Sequence, residues 1–317
     1  MGNFVFSQTK MMRRFRSFAS SWSFHKYPTS TCLNKTTSIA ELLSDASSDK
    51  LGTYFQQFTV PAVKMGLKAR VGETNSASCG GSFGVSDTMA SALWSLDYLF
   101  ALATHQVSRV NFHGGNSGPY TWFSVVDDKS NRNITAGSSS ELQVRPLYYG
   151  MFVWNWMVAN HTASRVLPVE CQAGRLCHKD GDTLSFHRPP NKTFAVRAKS
   201  WALGDTSRGD YKVIILNKLL GEEAMQPLWT RMKAPFDKAE IVILESRQGM
   251  TATRNISFAG WTWEGTQAGE RKGSYDSTIL YPTDSNGKYN IFEFAQAPAT
   301  ALVISFNQKT AEANMES

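Results

Sequence analysis

Apolar and polar positions alternate in two different ways along this chain. Residues 18–27 (FASSWSFHKY) predict a short strand ending in polar side chains. Ser38 and Glu41 have capping-box spacing and open a helical region through the 40s and 50s. Residues 63–71 (VKMGLKARV) read as a second strand, delivering Glu73 at its end. Ser86 stands where it can cap the clearest helix, with Met89, Ala92, Leu93, Leu96, Leu99, Phe100 and Ala103 on one apolar face. Residues 108–112 (SRVNF) form a third strand that runs into His113. A polar excursion from Asn116 to about Ser140 is too long for a connector and is a candidate functional loop. Pro146 then sits at the first turn of a helix, LYYGMFVWNWMVAN. Residues 1–17 show no clear period and are expected to be an irregular lead.

Strand, helix, strand, helix, strand, helix is a βα repeat, which implies parallel strands over residues 18–162. From 163 to 317 the pattern becomes β-rich. The runs SRVLPVEC, TFAVRAKSWA, YKVIILNKL, AEIVILES, NISFAGWTW, NIFEFAQAP and ATALVISF are separated by Gly, Pro, Asn and Asp. That predicts an antiparallel β-sandwich domain after the βα region. Three βα units are too few to close an eight-stranded barrel. The first region is therefore either an open three-layer sheet or part of a (β/α)8 barrel.

Composition narrows the function classes. The 317 residues are 42% hydrophobic and 12% aromatic, enough for a sizeable core. The most apolar stretch, Leu147 to Ala159, falls short of the roughly 18 residues of a membrane span. The net charge of +7 suits an acidic partner, but no Lys/Arg stripe interleaved with aromatics points to nucleic acid. The one dense basic spot is Lys10, Arg13, Arg14 and Arg16. Five sequons, at Asn34, Asn133, Asn160, Asn191 and Asn255, favour a secreted glycoprotein. The start, MGNFVFSQTKMMRRFRSF, has neither the apolar core of a signal peptide nor a myristoylation pattern. Cys32, Cys79, Cys171 and Cys177 allow two disulfides and lack zinc spacing; no metal or cofactor is implied.

The chemistry gathers at strand ends. The three strands run into His25-Lys26-Tyr27, Glu73-Thr74-Asn75 and His113-Gly114-Gly115. In a βα barrel the active site forms at the C-terminal ends of the strands. Taken singly, Asn75 also fits a left-handed turn, and His25 and Tyr27 also fit packing roles.

ETNS with the following CGG, GVSDTMASALWSLDYLFALA, VNFHGG and RPLYYGMF together resemble glycoside hydrolase family 79, the β-glucuronidase and heparanase-type enzymes. WSFHKYPTSTC is similar to the preceding barrel strand and loop of that family, and the likeness spans Trp22 to Asn160. It implies a (β/α)8 barrel with a β-sandwich and retaining hydrolysis of β-glucuronides. Glu73 would be the nucleophile at the end of strand seven. His25 and Tyr27 would end strand six, and His113, Gly114 and Gly115 strand eight. Tyr120, in the next loop, would help recognise the sugar carboxylate. Donors from His25, Tyr27 and Asn75 would favour the charged form of Glu73.

Two consequences follow from the residues. Cys32 and Cys79 trail adjacent strands, so their loops should lie side by side and a bridge is expected. A Cys171–Cys177 bridge would close a small loop in the sandwich, with free buried cysteines as the alternative. The family's general acid belongs to an Asn-Glu pair upstream of the nucleophile, and this chain has none; Glu41 is the one earlier glutamate. The expectation is the C-terminal portion of such an enzyme, inactive alone, with a missing N-terminal segment or chain completing it. A carbohydrate-binding or structural module derived from the same scaffold is the competing reading.

Overall fold

The computed structural model describes residues 2–114, 118–127, 140–159, 165–167, 178–179, 182–183, 198–205, 210–221, 228–266, 268–285 and 290–307. Its first layer is a parallel sheet of β1 (Ser21–His25), β3 (Lys68–Thr74) and β5 (Val107–Phe112), with β3 in the middle. Helix α3 (Asp49–Lys64) lies between β1 and β3 in the chain, and α4 (Met89–Thr104) between β3 and β5. Beyond the strand ends, β2 (Thr29–Ser30) pairs in parallel with β4 (Ala77–Ser78). The βα alternation thus produces the parallel sheet that the sequence predicts.

Local details depart from the sequence reading. Residues Gly2–Phe15 form a helix, α1, rather than an irregular lead. Met12 on α1 is buried with Ala62, Leu67 and Ala69, so a tertiary contact supplies what weak periodicity did not show. The helical region expected after Ser38 forms as two helices, α2 (Ile39–Leu43) and α3, separated at Ser44–Ser48. Ser44, Ser47 and Ser48 are all buried, and Ser44 and Ser47 bond local carbonyls in place of a helical ladder. Strand β3 starts at Lys68, so Glu73 lies inside it and not beyond it.

Helix α4 is buried from Met89 through Leu102 on every side, not on one face. Its N-cap position is Thr88, and Ser86 instead bonds Ser76 and the Ser82 amide. Part of the polar excursion is a hairpin of β6 (Phe123–Asp127) and β7 (Ser140–Val144), which leads into α5 (Pro146–Val158) with Pro146 at its start.

The second half is antiparallel. One sheet runs β15 (Ile256–Phe258), β14 (Ala239–Ser246), β19 (Thr300–Asn307), β12 (Asp210–Asn217), β11 (Lys199–Asp205), β8 (Arg165–Leu167), with β16 (Thr278–Leu280) also on β14. A smaller sheet runs β13 (Leu228–Ala234), β18 (Asn290–Gln296), β17 (Asp284–Ser285), and β9 (His178–Lys179) pairs with β10 (Asp182–Thr183).

The larger sheet is covered on both faces, which is why its strands read as continuous apolar runs. Ile214, Leu216, Val242, Leu244, Ala301 and Val303 join the α4–α5 core, together with Trp201 and Leu203. Ile215, Ile241, Leu302, Ile304 and Phe306 point the other way, into a core with Leu228, Phe292 and Phe294. The period-two alternation of strand side chains makes one sheet serve two cores.

Buried charges join the first layer to this sheet. Lys218 Nζ donates to Asp97 Oδ2 at 2.6 Å and to the Leu43 carbonyl at 2.9 Å. Lys199 Nζ lies 2.6 Å from Asp49, 3.2 Å from Asp45 and 3.3 Å from Asp97. No helix among the described residues is long and apolar enough to cross a membrane.

Candidate active site

Register brings the first two strand ends together. A bulge between Phe24 and His25 puts His25 opposite Glu73, and the Lys26 amide donates to the Glu73 carbonyl at 3.2 Å. Such irregularities re-aim side chains at the rim of a sheet. The Tyr27 hydroxyl donates to Glu73 Oε1 at 2.8 Å. His25 Nδ1 stands 3.6 Å from Glu73 Oε2, beyond hydrogen-bonding length, so it acts on the carboxylate as a nearby charge when protonated.

Asn75 has a different role from the one its type suggests. It is fully buried and is not among the residues with positive φ, so it is no left-handed turn residue. Its amide does not serve Glu73. Nδ2 donates to the His113 carbonyl at 2.6 Å and to the Tyr120 carbonyl at 3.0 Å, while Oδ1 accepts from the Ser76 amide. Asn75 therefore ties the end of β3 to the end of β5 and the loop after it. His113 Nδ1 and the Tyr120 hydroxyl lie 2.6 Å apart, placing that pair beside the same strand end.

The tyrosines feel the carboxylate. Burial, then the hydrogen bond to Glu73 and its charge, push the Tyr27 phenol well above its usual range. Burial and the Glu73 charge raise Tyr120 as well. Both phenols stay protonated, and so stay donors, across the range in which proteins function.

An open cleft of about 740 Å³ is lined by His25, Lys26, Tyr27, Pro28, Thr29, Ser30, Asn34, Lys35, Thr36, Glu41 and Ser78, and it meets the site through His25 and Tyr27 rather than through Glu73, Asn75, His113 or Tyr120. Cross-loop bonds hold its Ser30 and Ser78 side together: Thr31 donates to the Ser78 carbonyl, and Ser78 to Ser30. Cys32 and Cys79 are joined by a disulfide with Cα atoms 5.3 Å apart. Glu41 half-fulfils the capping box: Ser38 accepts from its amide, but its carboxylate takes the Thr37 hydroxyl.

Gly72, within β3, and Gly114, one of the strand-end residues expected at the site, both permit close packing there. A Cβ on Gly72 would strike Ser23 Oγ and come within 3.1 Å of His25 Nε2, so this glycine lets β3 approach β1 beside Glu73. A glycine inside a strand signals such close approach, and RVGET carried that signal. A Cβ on Gly114 would collide with the Trp122 indole nitrogen. Gly115, Asn133, Asn160, Asn191, Cys171 and Cys177 lie outside the described residues. Asn34 and Asn255 are both exposed.

No protein-family model matches this chain, and no curated protein does. Solved structures do. A 4-O-α-L-rhamnosyl-β-D-glucuronidase from Fusarium oxysporum 12S, in complex with Rha-GlcA, superposes with a TM-score of 0.69 at 17% identity, covering 95% of this chain and 56% of its own. A GH51 arabinofuranosidase from Xanthomonas axonopodis pv. citri gives 0.59 at 11% identity, over 96% and 56%. A family 51 α-L-arabinofuranosidase from Bifidobacterium longum gives 0.58 at 9% identity, over 97% and 56%. At these identities the likeness is one of fold. This chain has the fold of these glycoside hydrolases, over little more than half the length of each.

Proposed function

We propose that this chain carries the nucleophile of a retaining β-glucuronidase of glycoside hydrolase family 79, and that the nucleophile is Glu73. In this reading β1, β3 and β5 are strands six, seven and eight of a (β/α)8 barrel, and the antiparallel sheets are the accompanying β-domain. The observation that carries the proposal is the placing of Glu73. It lies near the C-terminal end of the middle parallel strand, is held by the Tyr27 hydroxyl, and has His25 alongside. The fold shared with a rhamnosyl-glucuronidase supports the substrate class.

The chemistry is a double displacement. A Glu73 oxygen attacks the anomeric carbon, the bond to the leaving oxygen breaks, and a glycosyl ester forms that water later opens. Tyr27 orients the attacking carboxylate. His113 and Tyr120, positioned by Asn75, face the sugar with polar groups. The leaving oxygen needs a proton from a second carboxyl about 5–5.5 Å away. We assign that acid to a further segment or chain, because no Asn-Glu pair precedes Glu73 and Glu41 is engaged at the start of α2. The chain alone then turns over β-glucuronides negligibly. Five sequons and the Cys32–Cys79 bridge support an extracellular setting, since disulfides persist in oxidising compartments.

The test removes the need for the acid. A 2-deoxy-2-fluoro-β-glucuronide with a dinitrophenolate leaving group departs without protonation and should esterify Glu73, seen as an adduct on its peptide by mass spectrometry. Glu73→Gln should remain unlabelled. Absence of the adduct from the native chain, or labelling that persists in Glu73→Gln, would overturn the assignment. The second reading, a carbohydrate-binding module without turnover, is favoured by the open polar cleft. It requires glycan binding that survives Glu73→Gln.

A further inference from the structure

One sequon is built into the site. Asn34, Lys35 and Thr36 all line the cleft beside His25 and Tyr27. Asn34 and Thr36 are exposed, and Lys35 is extended, at φ −69° and ψ 146°. Asn34 itself is in the left-handed region at φ 60°, which asparagine tolerates better than most residues. The segment is also anchored. Cys32 is bridged to Cys79, the Lys35 amide donates to the Cys32 carbonyl at 3.3 Å, and the Thr31 amide donates to the Ser78 carbonyl at 3.2 Å.

We propose that Asn34 carries an N-linked glycan and that this glycan lies over the cleft, screening Lys26 and Lys35 from large ligands. The modification draws on the secretory setting argued above, and its effect on ligands draws on the cleft's role there. The transfer is conventional in its balance. The Asn34 amide nitrogen attacks the anomeric carbon of a lipid-linked oligosaccharyl pyrophosphate. The C–N bond forms as the C–O bond to pyrophosphate breaks, and the amide proton passes to a base of the transferring enzyme.

The anchoring decides where the sugar goes. A glycan on a loose loop samples many directions, whereas this one starts two residues from a disulfide and on the cleft wall. Lys26 belongs to the same wall, its ammonium 5.5 Å from the Tyr54 ring centroid. Asn255 offers an internal comparison. It is exposed too, but lies on the turn before β15, its amide bonded to Glu264, and it does not line the cleft.

The experiment reads the glycan and the shielding separately. The chain is fused to a heterologous secretion signal and secreted from a eukaryotic host, site occupancy is mapped by peptide mass, and surface lysines are acetylated with an activated ester. Occupancy at Asn34 is expected, with Lys26 acetylated several-fold more slowly than in Asn34→Gln or Thr36→Ala. Thr36→Ser, which keeps the sequon, should restore protection. Lys68, exposed at the far end of β3, and the Asn255→Gln variant should show no change. An unmodified Asn34 in the secreted protein, or an occupied Asn34 without protection of Lys26, would overturn the proposal. Neither readout uses Glu73, so failure of the labelling test for the nucleophile leaves this result distinct.

Discussion

Replacing Asp97 by asparagine should destabilise the protein by about 3–5 kcal/mol, the usual result of breaking a buried ion pair from one side. Asp97 is 1% exposed and faces two ammonium groups, Lys218 at 2.6 Å and Lys199 at 3.3 Å, while the Trp201 indole donates to its other oxygen. At an effective dielectric of 20 those distances correspond to attractions of about 6 and about 5 kcal/mol, set against a desolvation penalty of several kcal/mol per ion. The net effect is visible in Asp97. Burial alone would raise its pKa, but Lys199 and Lys218 hold it well below the usual carboxylate range. Burial likewise opposes the charge on Lys218, whose pKa is lowered in spite of Asp97.

In Asp97→Asn the two lysines fare differently. Lys199 keeps Asp45 and Asp49. Lys218 is left with the Leu43 carbonyl and a neutral amide. Its escape is to lose its proton, which at pH 7 costs about 1.4 kcal/mol for each of roughly 3.4 pH units below the free lysine value, or about 5 kcal/mol. The penalty should therefore shrink toward about 2 kcal/mol at pH 9. The double variant Asp97→Asn with Lys218→Met should recover most of the loss. Urea unfolding followed by tryptophan fluorescence at both pH values measures this. A loss below about 1 kcal/mol, or one that does not fall with pH, would refute the reasoning. In the native protein the sign runs the other way at low pH. A carboxylate with a depressed folded pKa stabilises fully above its unfolded value near 4, and that contribution disappears as the pH drops through the folded value.

Further outcomes follow from the site. Tyr27→Phe removes the donor to Glu73 and should slow its labelling by about tenfold to a hundredfold, the worth of a hydrogen bond to a charged group, with the circular dichroism spectrum unchanged. Opening the Cys32–Cys79 bridge frees a 47-residue separation and should lower stability by about 4 kcal/mol, read as a melting-temperature drop in reductant. Gly72→Val should drive Ser23 and His25 apart from β3 and destabilise by about 1–3 kcal/mol, and Glu73 labelling should fall with it. Asn75→Ala should release His113 and Tyr120 and weaken small glucuronide binding more than it alters Glu73 labelling.

The sequence by itself determined the features that depend on near neighbours. The βα alternation, the apolar runs of β12, β14 and β19, and Pro146 at the head of α5 were all legible, because period and turn chemistry are local. So was the adjacency of Cys32 and Cys79, which follows once two parallel strands are placed side by side. What tertiary structure alone decided depends on partners far away in the chain. Helix α4 has one apolar stripe by spacing, yet it is buried all round because α5 and the larger sheet close over its polar side. Lys199 and Lys218 look like surface charges, and only the approach of Asp97 from 102 and 121 residues away makes them interior ones. Strand β13, LWTRMKA, is no continuous apolar run, because Arg231 and Lys233 interrupt it, and its antiparallel pairing with β18 is what makes it a strand. Asn75 shows the same division at the site. Its place beside Glu73 is written in the sequence, but its two carbonyl partners arrive from β5 and the loop after it, so its work as a tie between strand ends exists only in the fold.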